Sequence, residues 1–468
     1  MTIAERIADK VLSVDFTDLP DQAVHWSKLG ILDTIAVTLA GAPEECTRLL
    51  LATPGVADAP GPCRILGTDR RTSALDACLV NGTASHALDY DDVNNFLGGH
   101  PSAMLVPPLL AIAEMPRVSG QVSGRDAIAA YVAGFELETQ LGRAVNYHHY
   151  EKGWHPTVTL GIFGTVATSA RLLGLDRQRT ATALAMAVSL ASGVKANFGT
   201  MTKPLHVGQA VRNGLFATLL ARDGFTANLD AFEEKQGFFE VFNGTGTYEP
   251  ERIFDGWGAP FEVMGEGPGL KQHPCCGSTH AAIDCAAAIR RDHGVPIDQV
   301  TKIEVLTNPR RLPHTDNPNP RGGLEGKFSM QYVVARALAD GLTGLAQFED
   351  DAVNDPAMRP LMATVVTGVH PEMGLDSQNH FGAEVTVTTV DGEAISHRIN
   401  NRVCRGPSDP MSEEEFTAKV TDCVTRVLPE RNASALMQQM MDLDALGSLS
   451  ALGDLLETSN QPVRAAGD

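Results

Sequence analysis

A mostly α-helical fold with an inserted α+β segment is predicted from three features of the sequence. Apolar and small residues recur at helical spacing through residues 2–222. Near Gly265 the texture changes, and segments that alternate apolar with polar residues appear. Helical spacing resumes after a Gly-Pro-Ser-Asp-Pro linker at 406–410. At 468 residues the chain exceeds one simple core. The expected arrangement is an all-helical domain built from residues 1–265 and 407–468, with a smaller α+β lid domain, 266–406, between them.

The elements follow in order. Residues 2–52 read as two helices, the second over 21–40 and ending at Gly41. A Gly/Pro-rich connection over 54–72 leads to a helix over 73–88. Further helices are expected over 103–115, 124–145, 157–173, 179–191 and 205–222. Several carry glycine (Gly134, Gly161, Gly164, Gly208, Gly214). Each costs a helix about 1 kcal/mol relative to alanine, so close backbone packing is the expected compensation. In the inserted part, helices are expected over 279–292 and 327–340, and strands over 300–306 and 362–369. A hairpin over 384–399 is expected to turn on Asp391-Gly392 in a type I′ turn. Ser412 and Glu415 have capping-box spacing, and helices should continue to about 456, with a disordered tail from about 461.

Charge excludes some functions. The formal net charge is −20, so a general nucleic-acid or anionic-membrane binder, which needs a basic face, is not expected. No apolar run reaches 18 residues; the stretch 103–115 is broken by Pro107 and Pro108. Thr2 and Glu5 form another capping-box pattern, which reads as a mature helix and not a signal peptide. The eight cysteines are scattered, with Cys275 and Cys276 adjacent, which suits neither a disulfide framework nor a zinc site. A cytoplasmic protein is expected.

Chemistry concentrates in a few places. His-Ala-Leu-Asp-Tyr-Asp-Asp at 86–92 puts Asp89, Asp91 and Asp92 at a helix end, ahead of a loop closing in Gly-Gly-His100-Pro. His148-His149-Tyr150 precedes Gly-Trp154-His155-Pro. Thr-Met-Thr-Lys203-Pro-Leu-His206 opens one helix, and Lys271-Gln-His-Pro-Cys-Cys-Gly-Ser-Thr-His280 opens another. Tyr332 lies on the second helix of the insert. Helix N-termini attract anions, and two of these starts add a lysine, a pattern suited to a substrate with several carboxylates. Each residue alone has an ordinary alternative: a turn histidine, a solvated lysine, a core tyrosine, packing cysteines.

Two mechanisms fit. A carboxylate, histidine or lysine could remove a proton next to a carboxylate while lysines hold the enolate charge, giving a dehydratase, decarboxylase or epimerase. Alternatively Asp89-Tyr90-Asp91-Asp92 could belong to a Mg-dependent terpenoid enzyme, but three Trp and six Tyr make an aromatic-lined cavity a poor expectation. A non-catalytic binding scaffold would leave the His/Lys helix starts without a purpose.

Four motifs in register resemble the MmgE/PrpD family: the 86–92 stretch with its following His-Pro, Gly-Trp-His-Pro-Thr, Gly-Thr-Met-Thr-Lys-Pro-Leu-His-Val-Gly, and Lys-Gln-His-Pro-Cys-Cys-Gly-Ser-Thr-His. The resemblance implies a helical domain with an α+β lid, a homodimer, a site between the two domains and no metal or organic cofactor. It implies a lyase of the 2-methylcitrate dehydratase kind acting on a small di- or tricarboxylate, with an epimerase of the iminodisuccinate kind as the alternative. Carried over by motif, Asp89, His100, His155 and Lys271 are catalytic candidates, and Lys203 and Tyr332 bind substrate. His149 is added for its place beside Trp154-His155. Asp89 is expected to face the site, and Asp91 and Asp92 to be structural. The chain departs from the family at Val93, commonly Thr, and at Cys276, where the family's decarboxylase has His. Decarboxylation is therefore the least expected of the three activities.

Overall fold

In the computed structural model, residues 1–456 and 458 are described except 117, 119, 342, 376 and 378. The tail expected to be disordered lies outside the described residues. The chain divides into two compact units, Met1–Leu270 with Gly406–Asp468, and Lys271–Arg405.

Among the described residues, the longer helices of the first unit are α1 (Ile3–Leu12), α2 (Asp21–Gly41), α3 (Ala74–Ala87), α4 (Ser102–Ala113), α5 (Gly124–Val145), α6 (Gly161–Leu172), α7 (Arg177–Leu190) and α8 (Thr202–Arg222). Those of the second are α9 (His280–His293) and α10 (Met330–Asp340), and after Gly406 the first unit resumes with α11 (Glu413–Val424) and α12 (Glu430–Met441). The fold is mostly α. Caps set several starts: Thr2 with Glu5 and Ser412 with Glu415 form reciprocal capping boxes, and Ser73 caps α3 through the Asp76 N–H. An extra helix, Glu45–Ala52, follows α2.

The glycines inside helices mark contacts. A Cβ at Gly208 of α8 would stand 2.1 Å from the Leu79 carbonyl oxygen of α3. The Cα of Gly208 in turn is 2.9 Å from where a Cβ on Gly82 would lie. These two helices therefore pack backbone to backbone, and the contact aligns the C-terminal end of α3 with the start of α8. Helix α2 packs on α3, and α11 packs on α2. The expected single helix over 157–173 is two pieces, Pro156–Thr159 and α6; at their junction Phe163 N–H bonds to the Leu160 carbonyl, three residues back, a tightened turn.

The second unit is a four-stranded sheet of β1 (Val300–Thr307), β2 (Val365–Val369), β3 (Ala383–Thr389) and β4 (Ala394–Ile399), in the order β2-β1-β3-β4. β1 and β2 are parallel, and the other pairs antiparallel. Ile303, Val305, Val385 and Val387 face Ile283, Ile289, Val333 and Leu338 of α9 and α10 in one core. Of the expected type I′ pair only Gly392 takes a positive φ (+82°). That turn type needs both, so the loop is a wider one, with the Thr389 N–H bonding to the Glu393 carbonyl. No helix among the described residues is long and apolar enough to cross a membrane.

Candidate active site

Helix α3 ends by turning its chain sharply at Asp89, which adopts the left-handed conformation at φ +53°. Glycine is usual there, because the Cβ of an L-residue costs roughly 1 kcal/mol or more. The turn directs the Asp89 carboxylate to Lys203 at the start of α8, whose ammonium donates to Oδ1 at 2.6 Å. Both side chains are largely buried. His100 approaches the same carboxylate, with Nε2 3.8 Å from Asp89 Oδ1.

Asp91 is buried between two histidines. His86 Nδ1 lies 2.7 Å from its Oδ2, and His100 Nδ1 lies 3.3 Å from the same oxygen. Burial, the largest influence on Asp91, opposes ionisation. The attraction of His100 and His86, with their hydrogen bonds, outweighs it and holds the carboxyl well below its usual range. Burial lowers His86 to about 4. We therefore assign it as a neutral ring donating from Nδ1. Asp91, expected to be structural, bridges His86 and His100.

Asp92 does have the structural place expected. It accepts from the Ser102 N–H at 3.0 Å and from Ser102 Oγ at 2.6 Å, tying down the start of α4. Burial pushes its carboxyl up to about 8, against the hydrogen bonds from Ser102. All three carboxylates are buried, so the stretch is not a solvated helix end.

His155 comes from another direction. Its N–H bonds to the Gly193 carbonyl, beside the bridge between Trp154 and Val194. The ring is buried edge-on to Phe198, 5.8 Å from the ring of His86, with Nδ1 3.3 Å from His206 Nδ1. Its Nε2 is buried and has no hydrogen-bond partner among the described residues. Burial first, then His86, Lys203, His100 and His206, lower its pKa well below the ordinary value, so it is neutral. With Nδ1–H donating to His206, Nε2 carries the lone pair and can act as a base.

The loop 93–99 that delivers His100 is folded around Asn94. Asn94 Oδ1 accepts from the N–H groups of Phe96 and Leu97, and the Asn94 N–H bonds to the Gly99 carbonyl. The His100 N–H is held by Thr157 Oγ1 at 3.1 Å. His86, Asp89, Asp91 and His100 also offer four donor atoms within 4.8 Å of one another, a set able to hold a cation. The Lys203 ammonium already places a positive charge against one of them.

Other expected residues stand elsewhere. His149 is buried among Trp154, Phe238 and Phe242. Its nitrogens lie 2.8 Å from Asn243 Oδ1 and 2.8 Å from Thr159 Oγ1. Burial lowers it to about 4. A neutral ring donates from Nδ1–H to Asn243 Oδ1, and its Nε2 lies against Thr159 Oγ1, whose hydroxyl also reaches the His155 carbonyl. His149 therefore packs as a neutral ring among aromatic side chains. Tyr332, in the second unit, is buried; its hydroxyl donates to the Gln347 carbonyl and accepts from Arg336 at 3.2 Å. These are structural bonds. Lys271 is buried in that same unit. Cys275 is buried against Thr279, and burial of this kind suits a packing residue.

Sequence reasoning missed His86 and His206 as neighbours of the site. His206 follows Lys203 by three residues on α8, the spacing that places side chains on one helix face, and His86 lies in the last turn of α3, just before Asp89.

The comparisons with known proteins agree over most of the chain. The MmgE/PrpD N-terminal domain matches residues 5–251 and the MmgE/PrpD C-terminal domain residues 273–443. A human cis-aconitate decarboxylase is 29% identical, covering 98% of this chain and 96% of that protein. One from Aspergillus terreus is 25% identical over 96% and 94%. A 2-methylcitrate dehydratase from Cupriavidus necator is 23% identical over 88% of each. With both domains matched in order, the chain belongs to the MmgE/PrpD family.

Proposed function

We propose that the protein is a lyase that removes water from a small polycarboxylate, a tricarboxylate first, by abstracting a proton next to a carboxylate. One observation carries this reading: two histidines near Lys203 have opposite surroundings. His155 is neutral with a bare Nε2, whereas His100 lies between the carboxylates of Asp89 and Asp91. That is a base and an acid, as elimination requires.

In this reading Lys203 binds a substrate carboxylate, and His155 Nε2 takes the proton from the adjacent carbon. The electron pair of that C–H bond develops as an enediolate, stabilised by the ammonium. It then forms the double bond as the C–O bond breaks, and His100 gives a proton to the departing hydroxyl, which leaves as water. Asp91 orients His100. Neither His149 nor Tyr332 has a part.

Loss of CO₂ from cis-aconitate is the second reading, favoured by the higher identity to the decarboxylases; Cys276 in place of histidine weighs against it. Epimerisation would use the same base and acid on opposite faces of one carbon. Incubation with 2-methylcitrate, citrate, cis-aconitate and iminodisuccinate in D₂O, followed by proton NMR, separates these. New alkene with loss of water supports the proposal. CO₂ release from cis-aconitate, or deuterium uptake without alkene, would replace it with the corresponding alternative.

A further inference from the structure

Beneath the Asp89 turn lies a buried ion pair that the chemistry above does not use. Lys419 of α11 is buried, and its Nζ is 2.6 Å from Oδ1 of Asp33 on α2, itself fully buried. The same ammonium donates to the Tyr90 carbonyl at 3.0 Å and lies 4.2 Å from the Tyr90 ring centroid. That carbonyl belongs to the peptide joining Tyr90 to Asp91, with Asp89 one residue earlier in the left-handed conformation.

A buried pair of charges is no more stabilising than well-packed apolar side chains of the same volume, so stability alone does not explain it. Its geometry does. Rotating the Tyr90–Asp91 peptide would swing Asp89 away from Lys203 and Asp91 away from His86 and His100. The ammonium, fixed by Asp33, holds that peptide in one orientation. We propose that Lys419, anchored by Asp33, is a positioning residue that sets the directions of the Asp89 and Asp91 carboxylates. Neither residue touches substrate. The inference rests on the reading of Asp89, His100 and Lys203 as the reacting cluster.

Lys419→Met strands the Asp33 carboxyl and can fail to fold, so the decisive variant is the double replacement Asp33→Asn with Lys419→Met, which leaves no unpaired charge. Circular dichroism and thermal unfolding establish that it folds. Its kcat on the acid that the wild-type protein turns over best is expected to fall about tenfold or more, with KM changed far less. The ring resonances of His86 and His100 in histidine-labelled protein, assigned from His86→Ala and His100→Ala, are expected to move. Lys419→Arg, which keeps charge and donor, should restore most of the rate. A folded double variant with wild-type kcat and unmoved histidine resonances would overturn the proposal. His100→Ala, assayed alongside, separates the two failures. Full activity there would sink the reading of the cluster itself. Loss there, with the double variant unaffected, would sink only the positioning role.

Discussion

Lys203 Nζ and Asp89 Oδ1 meet at 2.6 Å although one residue opens α8 and the other follows the end of α3. The meeting depends on two backbone features. The left-handed turn at Asp89 aims its carboxylate, and the glycine contact between the helices brings the lysine within reach.

Lys203→Ala should therefore do two things. Substrate binding weakens, with KM raised by roughly 10-fold or more, since a charge-assisted contact to a carboxylate is lost. Stability falls by about 1–3 kcal/mol, because the largely buried Asp89 loses its partner. Steady-state kinetics and urea unfolding measure the two. A variant that does not fold would mean that the lysine is mainly structural.

Gly208→Ala tests the helix contact. Alanine would ordinarily stabilise a helix interior by about 1 kcal/mol. Here its Cβ would meet the Leu79 carbonyl oxygen at 2.1 Å and Thr83 Oγ1 at 2.3 Å. The expected result is the opposite sign, a loss of about 1–3 kcal/mol in denaturant unfolding, with reduced kcat as Lys203 and Asp89 separate. A stabilised, fully active variant would contradict the account.

Much of this was legible in the sequence. The capping boxes at Thr2 and Ser412, the helical glycines and the alternating strands all depend on short-range patterns, which survive without knowledge of the fold. Asp89, His100, His155 and Lys203 were found through motifs, and the structure brings them, with Asp91, into one cluster. What was not legible has a common cause. Spacing cannot tell what each of three neighbouring carboxylates meets once a residue takes a positive φ, so the contact of Asp91 with His86 and His100 was not legible. His149 sits beside the Trp154-His155 turn in sequence, but its partners Phe238, Phe242 and Asn243 lie about ninety residues on. Asp33 and Lys419 come from opposite ends of the chain, and no local pattern links them.

Asp92 should make stability depend on pH in a definite direction. Its folded pKa, about 8, lies above that of an unfolded aspartate. The native state therefore holds an extra proton between about pH 4 and pH 8. Its contribution is fully present below about pH 4 and is lost as pH rises through 8. Asp92→Asn, which cannot ionise, should gain stability relative to wild type as pH is raised from 5 to about 9. Urea unfolding of both proteins across that range measures the difference. A difference that stays flat would contradict the assignment.

Asp91→Asn should leave His100 with the Asp89 carboxylate alone and lower kcat by roughly 10²-fold or more, with a smaller effect on KM. The depressed pKa of Asp91 means that its favourable contribution to folding is present above about pH 4 and is lost as pH falls below it. The stability difference between wild type and Asp91→Asn should accordingly narrow in acid. Equal kcat in the two proteins would remove Asp91 from the mechanism.

The central claim is that His155 and His100 move the protons. It is tested most directly by the rate at which the substrate's carbon-bound hydrogen exchanges with D₂O, followed by proton NMR for wild type, His155→Gln and His100→Gln. The account predicts exchange in the wild type, a drop of about 10²-fold or more in His155→Gln, and water loss impaired more than exchange in His100→Gln. Exchange at the wild-type rate in His155→Gln would contradict it.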